Sequence, residues 1–429
     1  MKVGQKAFRW FLVISLIVLV IETIIDTQNN GDFIGYLNAG NLVLGGENIY
    51  LDFLNTWPPF FSIVSVPLAL LDSASPTVVR SVWLLGNLAA LFATMKMCTE
   101  LFVQKKLLLP FKKPQNDSQI AFQNPVIFIP FVIMLRLFLE HSSHLQINLY
   151  MMAMAVASVY FYYKNKPVLA ALFLGFSIAI KVYTVILLLY FIYKRAYKIS
   201  AITVGWIVFF TSITFLVFGF ETSLTYHQYW FFTASVQQTA AHHMNQSLFA
   251  LVERLFVFSN TGMDLHNNIF ALPLPQVKRA FYLVLVFVSL VPMYMFRKKL
   301  RADKLTKGQI IEWAIIFCAI PVLSPVAWKY YFVFLWLPFF VLYLFVYSKN
   351  QLEKGTARAW VRGLYYSSII CLVLSSELFV GVYFSDVLEL YGIITIGALC
   401  LFVALFILYN DSNPQDLEHV IDETYTDKL

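Results

Sequence analysis

Long apolar runs separated by short polar stretches repeat along nearly the whole chain. Many of them are long enough to cross a hydrocarbon core of roughly 30 Å as a helix. A membrane β-barrel would instead show short segments of alternating polarity, and these are absent from the sequence. The pattern predicts an all-α integral membrane protein, a polytopic helical bundle.

The basic residues between the runs orient the bundle, because Lys and Arg concentrate in cytoplasmic loops. Lys2, Lys6 and Arg9 put the N-terminus inside, so residues 10–25 cross outward. Lys105, Lys106, Lys112 and Lys113 form the next inside block, reached by one crossing, 77–103, from a first external loop at 26–76. The apolar stretch "PPFFSIVSVPLALL" (58–71) is then left over. At about 1.5 Å per residue it is too short to span. It is expected to be an interfacial helix on the outer side, opened by prolines that suit a first helical turn.

Residues 125–140 go out, and 148–163 return to Lys164 and Lys166. Residues 167–193 and 309–347 each carry basic residues at both ends, which predicts two hairpins of short helices. Lys181 sits at the tip of the first, and Lys329 in the break "PVLSPVAWKYY" of the second. Between them 199–218 goes out, 219–276 forms the largest external loop, and 278–296 returns. With a last pair at 361–384 and 388–409, about twelve membrane segments result. Residues 1–409 thus form a single transmembrane domain, and the acidic tail 410–429 is expected to be cytoplasmic and disordered. No close repeat of fixed period is present.

Composition supports this reading. Of 429 residues, 59% are hydrophobic and 13% charged, with mean hydropathy +0.70; soluble domains carry roughly a quarter charged residues. A net charge of +7 would suit nucleic acid, but the charges lie in short clusters between apolar runs, so no nucleic-acid partner is expected. Cys98, Cys318, Cys371 and Cys400 are scattered through apolar stretches without CxxC spacing and read as packed thiols. The N-terminus has the basic head and apolar body of a signal peptide. It lacks a small-x-small cleavage site and more spans follow, which favours an uncleaved first helix.

With this topology, the polar residues outside the basic loops gather on the outer face. They are Asp32 and its loop, "EHSSHLQIN" (140–148), Lys181, "HHMNQS" (242–247) and "SPVAWKYY" (324–331). A lone carboxylate near the membrane surface suits a general base on a sugar hydroxyl, although an ordinary loop acid looks the same. Glu22 and Asp26, one helical turn apart, read as interface residues. Cations inside a membrane are costly and mark functional positions. Lys181 and Lys329 therefore suit a phosphate, and Arg80 either a phosphate or a helix-end anchor. Arg136 and Glu140, four apart, read as a local ion pair. His141/His144 and His242/His243 lack a neighbouring acid in register, so no metal is expected.

Taken together, these residues resemble glycosyltransferase family 87. Asp32, Phe33 and Tyr36 match its Asp-Phe-x-x-Tyr, Gly46 and Tyr50 its Gly-x-x-x-Tyr, Pro58 and Pro59 its Tyr-Pro-Pro, and Pro67, Leu68 and Leu71 its Pro-Leu-x-x-Leu. In chain order follow Gln146 and Asn148 for Gly-Gln-x-Asn, "LAALFLGFSIAIK" ending in Lys181, Asn245, Gln246 and Ser247 for Asn-Gln-Ser, and "LSPVAWKYY" for Leu-Ser-Pro-x-x-Trp. The chain departs from the family at Tyr330 and Tyr331, where a His-His pair is frequent, and at Leu145, where the family has Gly.

The resemblance implies a GT-C type fold and a cell-membrane enzyme with cytoplasmic termini and an outward-facing site. The implied donor is a polyprenyl-phosphate sugar, often mannose, and the acceptor a lipid or glycan. Asp32 is the implied base. Lys181, Lys329 and Arg80 are the candidates for the donor phosphate. Tyr36, Trp57, Gln146, Asn148, Asn245, Gln246, Trp328, Tyr330 and Tyr331 are the candidates for substrate contacts. Phosphate is already a good leaving group, so neither metal nor cofactor is expected. The alternative is a transporter or flippase for a lipid-linked or small anionic substrate, which also uses broken hairpins with a buried cation. A polysaccharide polymerase or ligase would instead depend on external arginines, and Arg254 is the only one in 219–276.

Overall fold

The computed structural model describes residues 32–52, 55–234, 241–297, 300, 305–347 and 356–411, with isolated positions 10, 14, 17, 18 and 21. The expected first span with Glu22 and Asp26, the N-terminal basic cluster and the tail beyond Asp411 fall outside the described residues or largely so.

The chain is helical because, in hydrocarbon, only internal hydrogen bonds satisfy the backbone. Among the described residues, six helices are long and apolar enough to cross a membrane: Pro76–Val103, Pro125–Ser143, Tyr197–Phe218, Leu274–Met295, Lys329–Val346 and Ile393–Asp411. About twelve segments were expected; the six are the helices of at least 18 residues among the described residues, and the expected first span lies largely outside these. Asn148–Tyr163, Pro167–Ile180 and Val185–Tyr193 are short apolar helices. The expected crossing 361–384 is not a single helix. Thr356–Ile369 runs on through a π-turn to Leu374, then two short helices follow, Glu377–Val380 and Val382–Leu390. Gly381 separates them at φ 77°, a left-handed conformation that only glycine adopts freely.

The core lies around the second hairpin. The Lys329–Val346 span is 89% buried, whereas Leu274–Met295 is 6% and Tyr197–Phe218 17% buried. The last two are apolar yet uncovered, as helices facing lipid are. The first hairpin reverses at Lys181. Phe173, before the reversal, stacks on Phe161, and Phe191, after it, packs on the adjacent Tyr162. Two residues so far apart in sequence reach one helical turn only if the chain folds back. At the end away from this reversal Lys194 forms a buried ion pair with Glu312 (2.8 Å), which also accepts from the hydroxyls of Tyr190 and Tyr409.

The first external loop, 26–76, contains the helix Phe33–Gly45. It packs closely on Pro59–Ala74, the segment expected at the interface. A Cβ on Gly40 would come within 2.6 Å of the Ser65 carbonyl oxygen and 2.9 Å of the Ala69 methyl, so glycine permits this approach. Gly46 (φ 68°) ends the first helix with its N–H on the Leu42 and Val43 carbonyls.

Candidate active site

Asp32 immediately precedes the Phe33–Gly45 helix and is half-buried. Its Oδ2 accepts from the Tyr330 hydroxyl at 2.5 Å and from Gln146 Nε2. Among the described residues, Oδ1 makes no hydrogen bond. Tyr36, one turn along the helix, donates to Gln146 Oε1 (3.1 Å) and so fixes which end of that carboxamide faces Asp32. Burial, reinforced by the Asp32 carboxylate, pushes the Tyr36 phenol well above its ordinary range, so it stays a neutral donor. Behind it Trp57 and Phe61 pack edge-on at 4.8 and 5.2 Å. Tyr50 donates to the Trp57 carbonyl (2.9 Å), which ties the intervening loop down.

Gln146 comes from the junction between Pro125–Ser143 and Asn148–Tyr163. Leu145 there has φ 49°, the left-handed region that favours glycine. This explains why the matching family element begins with Gly. Here leucine holds the conformation, with its carbonyl accepting from Trp83 Nε1 (2.7 Å) and its side chain buried. His141 supports the same junction, its Nε2 accepting the Leu149 N–H (3.1 Å).

Lys181 ends the Pro167–Ile180 helix in an extended conformation, ahead of a 3-10 turn closed by the Ser177 and Thr184 hydroxyls (2.8 Å). Its Nζ donates to Asn148 Oδ1 (3.3 Å), which also accepts from the Tyr183 hydroxyl (2.7 Å). The ammonium lies 4.3 Å from the centre of the Tyr331 ring, a favourable cation–π contact. It is buried and, among the described residues, makes no ion pair. Asn148 Nδ2 reaches the Tyr330 carbonyl (3.4 Å), so Asn148 and the two tyrosines join the cation to the acid.

The other candidate cations are engaged elsewhere. Lys329 pairs with Glu140 (2.9 Å) and Glu389 (3.0 Å), with Glu377 at 3.6 Å. Arg80 pairs with Asp72 (2.8 Å), its guanidinium 5.7 Å from the Phe33 ring. Arg136 does not pair with Glu140 as its spacing implied. It donates to the Leu372 carbonyl and Ser375 hydroxyl and faces Glu389 at 3.8 Å, because Lys329 takes Glu140. Burial pushes the Glu389 carboxyl up to about 7 against the opposing pull of Lys329 and Arg136.

Asn245, Gln246 and Ser247 clamp the turn at 325–327 that precedes Trp328. Asn245 Oδ1 accepts from the Ala327 N–H (2.9 Å), Gln246 N–H donates to the Ala327 carbonyl (2.7 Å), and the Ser247 hydroxyl donates to the Pro325 carbonyl (3.2 Å). Arg254 is buried and donates to the carbonyls of Asn245, His242 and Leu390, so it is structural. Trp328 is half-buried, edge-on to His242 at 5.6 Å. Among the described residues no group of three His, Cys, Asp or Glu is placed to hold a metal.

Thus Asp32, Tyr36, Gln146, Asn148, Lys181, Tyr330 and Tyr331 converge, with Trp57 as backing, whereas Lys329, Arg80, Asn245 and Gln246 build the frame. Sequence reasoning missed Tyr183 and Glu389. Nothing in the local pattern distinguishes them, since both act through contacts made far along the chain.

The model of glycosyltransferase family 87 matches residues 55–325, more than half of the chain. No curated protein and no solved structure matches. The matched region contains Gln146, Asn148 and Lys181 but neither Asp32 nor Tyr330, which join the site by geometry. A helical membrane bundle that carries this constellation and this match is a glycosyltransferase: the chain belongs to glycosyltransferase family 87.

Proposed function

We propose that the enzyme moves a hexose, mannose being the first candidate, from a polyprenyl-phosphate donor to a hydroxyl of a lipid-linked or glycan acceptor, with inversion. The reaction takes place at the outer face of the cell membrane, with both chain termini in the cytoplasm. The observation that carries this reading is a carboxylate with one oxygen free of hydrogen bonds, linked through Tyr330 and Asn148 to a buried cation that makes no ion pair among the described residues. Asp32 Oδ2 is occupied by Tyr330 and Gln146, which leaves Oδ1 as the basic atom.

Oδ1 takes the proton of the acceptor hydroxyl as that oxygen bonds to the anomeric carbon. The bond from that carbon to the phosphate oxygen breaks on the opposite face, and polyprenyl phosphate leaves with the electron pair. Lys181 stabilises the developing phosphate charge, as preorganised cations do in a water-poor site. Lys329 and Arg80, neutralised by carboxylates, hold the scaffold. Trp328 and Tyr331, both half-buried, supply aromatic surface for sugar rings, while the buried Tyr36 and Trp57 back the Asp32 carboxylate. Membership of a glycosyltransferase family favours this over the transport alternative. Asp32→Asn keeps the shape and removes the base, so transfer falls by about 10²- to 10⁴-fold with unchanged thermal unfolding. Full activity in a folded Asp32→Asn protein would contradict the assignment.

A further inference from the structure

The end of the bundle opposite Asp32 carries a cavity of about 300 Å³, lined by Lys105, Lys112, Lys113, Gln119 and Asn124, with Phe111 on its apolar side. Two spans separate it from the active site. Pro76–Val103 starts beside the site, where Trp83 packs on Phe33 and Tyr36, and runs 28 residues toward the cavity. Pro125–Ser143 starts next to Asn124 and ends one turn before Gln146. At about 1.5 Å per residue, those ends lie a hydrocarbon thickness apart. The cavity therefore sits at the other membrane boundary, at the depth of phospholipid headgroups.

Its chemistry is one-sided, with three ammonium groups and no carboxylate among the lining residues. Gln119 Oε1 accepts from the Gln115 N–H and Asn124 Oδ1 from the Val126 N–H, each at 3.0 Å. Both carboxamides thus have their NH₂ groups left to donate. The frame is built: Lys106–Leu107 pairs in parallel with Gln119–Ile120, and Gln104 and Phe111 adopt φ 56° and 72° to turn the chain around it. Lysines that merely hold a loop inside the cell need no such frame. Basic pockets between helix ends at a membrane surface are suited to anionic headgroups.

We propose that this cavity binds the phosphodiester headgroup of an anionic phospholipid, its glycerol side against Phe111. The test is native mass spectrometry of the full-length protein in detergent with dioleoyl phosphatidylglycerol or dioleoyl phosphatidylcholine at equal concentration. The phosphatidylglycerol adduct is retained in preference. Lys112→Gln and Lys113→Gln each weaken it by about fivefold. Gln119→Glu, which keeps the acceptor for Gln115 and adds a negative charge, weakens it further, and excess inorganic phosphate leaves it in place. Equal retention of the two lipids or unaffected variants would overturn the proposal. Displacement by inorganic phosphate would overturn it in favour of a free phosphate ligand.

Discussion

At the residue scale, the proposed chemistry depends on what holds Asp32. Tyr330 replaces a residue that is often histidine in the family, yet it reaches the carboxylate as a donor. A hydrogen bond to a charged group contributes about 1.5–3 kcal/mol. Tyr330→Phe should therefore lower kcat by roughly 10- to 100-fold with little change in KM, while Tyr330→His, which restores a donor, should recover part of the loss. Steady-state kinetics on the purified variants checks both. Asp32 was named as a candidate base from its motif in the sequence. Its anchoring was not legible, because Gln146 and Tyr330 lie more than a hundred residues away. Lys329 was legible as an intramembrane cation, but its carboxylate partners arrive from two other helices.

Glu389 makes a second prediction at this scale. Its carboxyl is raised from 4.5 to about 7, so between those values the folded protein holds a proton that the unfolded chain releases. The resulting stabilisation is fully present below about pH 4.5 and is lost as pH rises through about 7, an effect on the order of 3 kcal/mol. Thermal unfolding of wild type against Glu389→Gln across that range should show wild type losing ground as pH rises. A constant difference would show that the carboxyl titrates normally.

At the scale of elements, the two hairpins were legible because basic residues at both ends of one apolar run allow no single crossing. The helix Phe33–Gly45 was not, since its small residues give no strong apolar periodicity and its packing depends on Gly40. Gly40→Leu drives a side chain into Ser65 and Ala69, a steric conflict of the kind that costs about 1–3 kcal/mol. It should lower both the unfolding temperature and transfer activity, since this helix carries Asp32 and Tyr36. The Lys194–Glu312 pair closes the first hairpin on the second. Lys194→Met leaves the buried Glu312 carboxylate without its cation and should cost about 3–5 kcal/mol, much of it regained in Lys194→Met/Glu312→Leu. Chemical unfolding of the three proteins in detergent tests this.

At the scale of the whole molecule, apolar runs and composition were enough to read an all-α membrane bundle. The break in the expected crossing 361–384 was not legible, because hydropathy does not show where an apolar run turns, as this one does after Leu374. The site lies where the Phe33–Gly45 helix, the Leu145 junction and both hairpin tips meet, and each contributes a residue that the others hold. The measurement that tests this most directly is incubation of the purified protein with synthetic polyprenyl-phosphate mannose and polyprenyl-phosphate glucose in an acceptor-rich membrane extract. The account predicts release of polyprenyl phosphate from one of them, abolished in Asp32→Asn. Absence of release from either donor, or equal release by Asp32→Asn, would contradict it.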